Sequence, residues 1–316
     1  MSKYSVHWSK LVRLGGAFAF ALLLSTDHLK GDIVNAESDG YGVQVQAEVL
    51  SLLSVDLLNL TPSQVSSGVA PPAYSFSASG VVVDATVDTS IGPIAGTTVG
   101  FELLGVDGLV DSSATSTADG LPGFRTTSGF GGVNGLDLNV ANAVVSTPLG
   151  STDFPFLNIS ADTINSTSTI EGDYGALNAA GESVIQNLAI SVNDVQLDIA
   201  TLLGANGTID GSGFITVDPN TEILSLGGIV GLDLIFNQQL TTGDGISTLG
   251  METNAISISF NGVDLGLPLI DQALNGSTTI GHSFASVSAV PEPGSTICLA
   301  FAVCMVAASA RRRRNV

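Results

Sequence analysis

The sequence predicts an all-β protein, in which a β-sandwich or jelly-roll-like body is flanked by an N-terminal signal helix and a short C-terminal transmembrane helix. The first observation is that apolar and polar residues alternate with period two, which is the pattern of a half-buried strand. The second is that clusters of Gly, Asn and Asp separate these runs. The third is that no apolar stripe of helical period extends beyond about three turns. The clearest alternating runs are residues 43–49, 136–140, 195–199, 231–235 and 255–260.

Turn clusters divide the body into runs of about eight to twelve residues, as in sandwiches and barrels. Short helical turns are expected near Gly175–Gln186, and Ser63–Ser79 reads as a long loop. A β-solenoid is the competing architecture, although the tetrapeptide Gly-(Leu/Val)-Asp-Leu recurs at Gly135, Gly231 and Gly262 without a fixed period. The turn clusters are Asn206-Gly207, Asp210-Gly211, Asp218-Pro219-Asn220, Gly243-Asp244-Gly245 and Asn261-Gly262.

Residues 1–36 read as a secretory signal peptide. A positively charged segment ending at Arg13 precedes the apolar run Leu14–Leu24, and Val34-Asn35-Ala36 places small residues where a signal peptidase inspects the chain. We therefore predict cleavage after Ala36, with signal peptidase as the partner. A short membrane anchor that is never cleaved is the alternative.

Residues 290–316 form a segment in three parts, which begins with Val290-Pro291-Glu292-Pro293. The apolar run Ser295–Ala310 follows, and as a helix of about 16 residues it would be roughly 24 Å long. That is short of the ~30 Å hydrocarbon core, so the run spans only with bilayer thinning or snorkelling flanks. The arginines that follow hold this end in the cytoplasm, as the basic residues of the N-terminus do for the other end. Both ends inside and the body outside is a consistent topology.

This order of motif, apolar run and arginine cluster resembles the PEP-CTERM protein-sorting signal of Gram-negative bacteria. In that family a membrane peptidase of the exosortase type recognises the three parts together. The resemblance implies export across the inner membrane, removal of the tail, and delivery to the cell surface or extracellular polymer, with extracellular polysaccharide as a candidate partner. An ordinary tail anchor is the alternative. The implied sorting motif is Val290, Pro291, Glu292 and Pro293, and the implied cytoplasmic anchor is Arg311, Arg312, Arg313 and Arg314.

Residues 37–289 are predicted to be a single β-rich domain, because no linker or abrupt change of composition divides them. Six short motifs follow one another in this body: Tyr41–Leu50, Ala70-Pro71-Pro72, Ser166–Ser168, Ile190–Val195, Leu234–Gln239 and Asn254–Ile258. Their order is similar to that in the exported choice-of-anchor proteins, most closely the type lettered P. Members of that family share a β-rich body and differ in the anchor behind it, and the family brings no established activity.

The charge balance excludes several classes of function. Charged residues make up 12% of the 316 residues, against about 25% in an average protein, and the formal net charge is -20. Arg125 is the only Lys or Arg between residues 37 and 290, which excludes a nucleic-acid binder, a P-loop and a Schiff-base lysine. Both cysteines, Cys298 and Cys304, lie in the C-terminal apolar run, so the body offers no thiol nucleophile and no Cys/His zinc site. His282 is the body's one histidine, and we interpret it as an ordinary strand residue.

Carboxylate chemistry is what the residues leave open. Two acids ~5–9 Å apart could hydrolyse a glycoside, but one sequence cannot select a pair, and most acids alternate with apolar residues as solvent-facing strand positions would. No cofactor is predicted, and a calcium site in a β-loop is the alternative, since oxygen ligands are abundant. The loop Asn206–Gly211 begins like an EF-hand loop but has Val217 where the bidentate Glu belongs. Mutual repulsion among the acids is expected to raise their pKa values.

These observations predict a non-enzymatic, surface-sorted protein of the envelope or extracellular polymer. The alternatives are a secreted carboxylate-dependent glycan-active enzyme and a glycan- or calcium-binding module.

Overall fold

The computed structural model describes residues 31–51, 55–60, 64–82, 88–94, 97–147, 150–223, 231–264 and 272–291, and is nearly all β. The predicted signal helix and transmembrane helix fall on residues 1–30 and 292–316, which lie outside the described residues. Among the residues that are described, no helix has the length and apolar character needed to cross a bilayer. The strands are β1 (Gly31–Ser51), β2 (Val55–Leu60), β3 (Ser66–Ala70), β4 (Tyr74–Val82), β5 (Asp88–Ile94), β6 (Thr97–Ser116), β7 (Arg125–Thr147), β8 (Gly150–Asp173), β9 (Ala176–Gln186), β10 (Ala189–Val192), β11 (Val195–Gln196), β12 (Gly207–Ile209), β13 (Phe214–Val217), β14 (Thr221–Ile223), β15 (Leu232–Gly243), β16 (Thr248–Asp264) and β17 (Gln272–Pro291), with the helix α1 (Ile199–Leu203) between β11 and β12.

The described strands form two antiparallel sheets. The seven-stranded sheet has the order β14-β15-β16-β17-β1-β2, with β3 also paired to β1. The ten-stranded sheet has the order β12-β13-β9-β8-β7-β6-β4, with β5 on β6, β10 on β8, and β11 on β10. Neighbours in sequence are mostly neighbours in the sheets, so the order is a meander, whereas a jelly roll is built from Greek keys. The antiparallel pairing also excludes a parallel β-solenoid.

Strand lengths differ from the prediction, because several glycines and asparagines lie inside strands and not between them. Strand β8 has 24 residues, and Asn261-Gly262, predicted as a turn, lies within β16. Gly262 has φ 67°, and the register of β16 on β17 shifts between Phe260 and Val263, which identifies a β-bulge. The same Asn-Gly pair that would form a turn between two strands therefore forms a bulge here, because the residues on both sides of it pair with one long strand, β17.

Two further local predictions are corrected by the structure. The predicted helical turns at Gly175–Gln186 are the strand β9, whose long ladder with β8 outweighs local propensity. The predicted loop Ser63–Ser79 contains β3 and most of β4. The predicted turns at Asp210-Gly211, Asp218–Asn220 and Gly243–Gly245 do connect strands.

The helix α1 replaces the end of the predicted strand 195–199. Asp198 caps it: one carboxylate oxygen accepts from the Thr201 N–H at 3.3 Å and the other from the Thr201 hydroxyl at 2.7 Å. Gly204 ends it with φ 54°. Ile199 and Leu203 are buried against the sheets, so the helix closes one side of the core.

An aliphatic core fills one half of the space between the sheets. It joins β1, β7, β8 and β15–β17, and it includes α1. Burial of such side chains contributes about 25 cal/mol for each Å² removed from water. Its fully buried members include Val45, Leu138, Ile159, Ile164, Phe236, Ile256 and Ile280.

Four strands of the seven-stranded sheet, β1, β15, β16 and β17, reverse their inward face at one level. In β1 the inward residues are Val43 and Val45 on one side of this level, and Ser38 and Gly40 on the other. The reversal coincides with positive φ at Asn237 (50°) and Gly281 (64°), which lie on β15 and β17. Beyond it, small and hydroxyl-bearing residues replace the aliphatic core.

We call this second region the hydroxyl seam. Its hydroxyl groups belong to Ser166, Ser168, Thr253 and Ser283. They lie where Gly129 and Gly131 of the ten-stranded sheet approach the backbone of the seven-stranded sheet. The Ser168 hydroxyl lies 2.9 Å from the Thr253 hydroxyl and 3.0 Å from the Ser283 carbonyl oxygen. A Cβ on Gly131 would overlap the carbonyl oxygens of Tyr41 and His282. The sheets therefore meet backbone to backbone here.

A smaller apolar cluster lies beyond the seam and includes Ile33, Ala36, Ile170, Leu177 and Val287. The sequence prediction placed everything up to Ala36 outside the fold, and the structure differs for residues 31–36. These residues form the start of β1 and pair with residues 287–291 of β17. Ala36 is fully buried and Ile33 is 2% exposed, because both face inward from β1.

Candidate functional site

The candidate sorting junction is the point where β17 leaves the fold. Val290 pairs with Asp32 and Pro291 with Gly31, so these two motif residues lie on the last rungs of the sheet. Glu292 and Pro293 follow at once in the sequence, and they lie outside the described residues, as do Arg311–Arg314. The structure thus brings half of the predicted motif to one sheet end.

The β15–β16 turn holds the end of β17 in place. The Ala289 N–H donates to the Ser247 carbonyl at 2.7 Å, and the Gly175 N–H donates to the Ile246 carbonyl at 2.9 Å. One carboxylate oxygen of Asp244 organises the turn by accepting from the N–H groups of residues 246, 247 and 248 at 2.7–2.9 Å. The turn therefore links β17 to the β8–β9 hairpin.

The loop between β6 and β7 lies at the same end and is held by Arg125. Arg125 donates to one oxygen of Asp119 from Nε at 3.0 Å and from Nη2 at 2.7 Å. It also donates to the carbonyls of Leu121 at 3.0 Å and Phe124 at 3.1 Å. Leu121 is 61% exposed and Phe124 is 60% exposed. An ordered loop therefore presents two apolar side chains to the outside.

His282 belongs to a cluster that the sequence analysis missed. Tyr41, His282, Asn254 and Gln238 form one row across β1, β17, β16 and β15. The Tyr41 ring stacks on the imidazole with centroids 4.2 Å apart. Burial, followed by the charges of Asp39 and Glu252, raises the pKa of the Tyr41 hydroxyl, which therefore stays neutral. No local motif joins these residues, and only the strand register could have shown them.

Short polar contacts hold the imidazole ring of His282 in place. The Asn254 amide nitrogen donates to the Gln238 side-chain oxygen at 2.8 Å, and the Asn254 oxygen lies 2.6 Å from His282 Nδ1. His282 Nε2 lies 3.3 Å from Asp39 Oδ1, an atom that is buried and has no hydrogen-bond partner. The imidazole therefore lies between Asp39 and Glu252, and its ring contacts are acids, an amide and an aromatic ring.

The loop Asn206–Gly211 uses its carboxylate on its own backbone. One oxygen of Asp210 accepts from the Ser212 N–H at 2.8 Å and from the Phe214 N–H at 3.0 Å, which closes the β12–β13 turn. Within the described ranges, no three His, Cys, Asp or Glu side chains come together in a way that could hold a metal ion.

A groove of about 290 Å³ lies on the outer face of β8 and β9. It is lined by Thr167, Thr169, Glu171, Asn178 and Glu182, with alanines of β9 as its apolar part. The register pairs Thr167 with Glu182 and Glu171 with Asn178, so the two acids are one strand and four residue steps apart. At ~3.4 Å a step this sets their Cα atoms about 14 Å apart.

The expected rise of carboxylate pKa values is wrong for the acids whose shifts are clear. A backbone hydrogen bond from Thr248, followed by one from Ile246, holds the pKa of Asp244 well below its usual range. Hydrogen bonds from the Thr201 hydroxyl and N–H lower the pKa of Asp198, and the Leu121 N–H, with Arg125, lowers the pKa of Asp119. Short hydrogen bonds at these exposed sites outweigh the repulsion from distant acids.

No family model matches the chain, and neither a curated protein nor a solved structure matches it.

Proposed function

We propose that the chain is exported, sorted to the cell surface through its C-terminal segment, and acts there as a non-enzymatic β-rich component of the envelope or extracellular polymer. In this proposal, residues 1–30 contain the signal helix and residues 295–310 a short transmembrane helix, on either side of a β-sandwich. Signal peptidase and an exosortase-type membrane peptidase are the processing partners.

The observation that carries the proposal is the pairing of Gly31 with Pro291. These are the first and last described residues, and paired Cα atoms of an antiparallel ladder lie about 5 Å apart. The two apolar terminal segments therefore attach to adjacent points at one end of the body. That arrangement suits a protein whose signal segment and tail both enter the membrane from the same side.

The burial of Ile33 and Ala36 bears on the signal cleavage site. Cleavage after Ala36 would remove Ile33 from the apolar cluster and leave residues 287–291 without their partners on β1. The fold therefore favours a surface form that keeps residues 31–36 over one cleaved after Ala36. The mass of the N-terminal peptide of the surface form distinguishes the two outcomes.

The test of sorting is intact mass measurement of the cell-associated and secreted forms in a host with an exosortase-type peptidase. We expect the surface form to lack Arg311–Arg314. Alanine at Pro291, Glu292 and Pro293 together should leave the full tail in place and keep the chain in the inner membrane. The matched control is Glu222→Ala, which removes an exposed acid of β14 far from the tail. Normal release of the triple variant would contradict the proposal.

A glycan-binding module is the second candidate, and the groove on β8 and β9 favours it. Threonine, asparagine and glutamate side chains are suitable partners for sugar hydroxyls. Glu171 and Glu182 line the same groove from neighbouring strands, and both carboxylates can accept hydrogen bonds from sugar hydroxyls. Binding of polysaccharide fragments that is lost in Glu171→Gln/Glu182→Gln, without release of reducing ends, would support it.

A further inference from the structure

We propose that the end of the body formed by the β6–β7 loop and the β15–β16 turn rests on the lipid bilayer, with Leu121 and Phe124 inserted into its interface. This inference depends on the proposed function in one respect, which is that residues 295–310 lie in the membrane.

The length of the connection brings the body close to the bilayer. Pro291 is fixed on the last rung of β17, and only Glu292, Pro293 and Gly294 separate it from the apolar run. An extended chain reaches at most ~3.6 Å for each residue, so the end of β17 lies within about 14 Å of the membrane segment. The body therefore has no stalk, and whatever surrounds Pro291 approaches the headgroup layer.

The β6–β7 loop belongs to this end of the molecule. Arg125, directly after the loop, pairs with Gly172 near the end of β8, and Gly172 pairs with Leu177 of β9. The hairpin joining those strands contains Tyr174, against which Gly31 packs closely. Gly31 in turn pairs with Pro291, so Leu121 and Phe124 share one end of the body with the exit of the chain.

The loop has the chemistry of an interfacial anchor. Leu121 and Phe124 stay more than half exposed, and Ile246 of the neighbouring β15–β16 turn is 51% exposed. Because Arg125 binds the carbonyls of both loop residues, the loop is ordered before it meets a partner, which reduces the entropy cost of insertion. Apolar side chains of this kind enter ~5–10 Å into the boundary between headgroups and acyl chains.

The surrounding charges select the type of lipid. Arg125 is neutralised by Asp119, and Asp173 and Asp244 lie in the adjacent hairpin and turn. Acids at a membrane surface are repelled by anionic headgroups. The surface therefore fits a zwitterionic bilayer, which offers apolar depth without negative charge.

The test uses the full chain with Trp8→Phe, which removes its only tryptophan, and Phe124→Trp as a reporter. The control reporter is Phe214→Trp, because Phe214 is 39% exposed but lies far from the end that we place on the bilayer. It pairs with Gln186, which is ten residues, or about 34 Å, along β9 from Ala176 at that end. Each variant is reconstituted with phosphatidylcholine vesicles carrying brominated acyl chains, and flotation is measured first.

We expect both variants to float, and the tryptophan at position 124 to lose most of its fluorescence while that at position 214 keeps it. Leu121→Trp repeats the measurement in case Phe124→Trp fails to fold. A chain that floats without quenching at either loop position overturns this inference alone and favours a protein partner for the loop. A chain that does not float overturns the membrane role of the tail and this inference with it.

Discussion

The aliphatic core and the hydroxyl seam join the same two sheets in different ways. Around Phe236 and Leu138, layers of branched side chains keep the backbones apart, and stability comes from apolar area removed from water. At the seam, Gly129 and Gly131 allow the carbonyl oxygens of one sheet to approach the Cα atoms of the other, and serine hydroxyls fill the remaining space. The comparison teaches that the aliphatic core depends on the volume of its side chains, whereas the close approach at the seam depends on glycines that have none.

The largest expected effect comes from emptying the aliphatic core. Phe236→Ala removes a fully buried ring, and we expect a loss of about 3–5 kcal/mol in the free energy of unfolding, measured by urea denaturation. Phe214→Ala, at an exposed position, should cost under about 1 kcal/mol. Equal losses would show that the core is not the main source of stability.

Overfilling the seam should have the next largest effect. Gly131→Ala places a methyl group against two backbone carbonyls that cannot rotate away, so the sheets must separate locally. We expect a loss of about 1–3 kcal/mol, from the same denaturation measurement. Gly211→Ala is the matched control, since a Cβ there meets nothing within 4 Å. If Gly131→Ala were as stable as the control, the close approach of the sheets would be wrong.

Removing one hydroxyl of the seam tests whether the network matters as a unit. Ser168→Ala leaves the Thr253 hydroxyl and the Ser283 carbonyl short of a partner, and we expect a loss of about 1–3 kcal/mol. Combining it with Ser283→Ala should cost less than the sum of the two single changes, because both hydroxyls of one contact are removed. Strict additivity in this double-mutant cycle would show that the hydroxyls act independently.

The smallest effect concerns the turn that holds β17. Because the folded pKa of Asp244 is lowered, its contribution to stability is present above the unfolded pKa of about 3.9 and is lost as pH falls through the folded value. We expect Asp244→Ala to lower the Tm by a few degrees at pH 7, and the difference from the parent chain to shrink towards pH 2. Asp233→Ala, at an exposed position of β15, is the control. A difference that is constant with pH would assign the effect to turn shape and not to charge.

The sequence predicted the all-β class because period two is a local property that survives into the fold. Asp137 and Asp233, predicted to face solvent, are exposed. Strand ends were predicted poorly, because Asn261-Gly262 carries the same residues whether it turns the chain or forms a bulge. Which outcome occurs depends on β17, the neighbouring strand.

The candidate sites also differ in whether local sequence or strand pairing determines them. The proposed sorting motif could be proposed from the sequence because its residues are contiguous. The cluster around His282 joins Asp39 to Glu252 across more than two hundred residues, and no local spacing encodes that contact. The apolar loop tip at Leu121 and Phe124 carried a weak signal, since apolar residues stand between turn-forming glycines and a proline.

The pairing of β1 with β17 limits when the seven-stranded sheet can form during synthesis of the chain. Contacts between residues near 31 and residues near 291 are about as distant in sequence as this body allows, and such contacts form late and slowly. The seven-stranded sheet can join β1 to β17 only after nearly the whole body has been synthesised, because β17 is the last described strand. Until then β1 exposes the edge that β17 later covers, so completion of this sheet depends on the final strand.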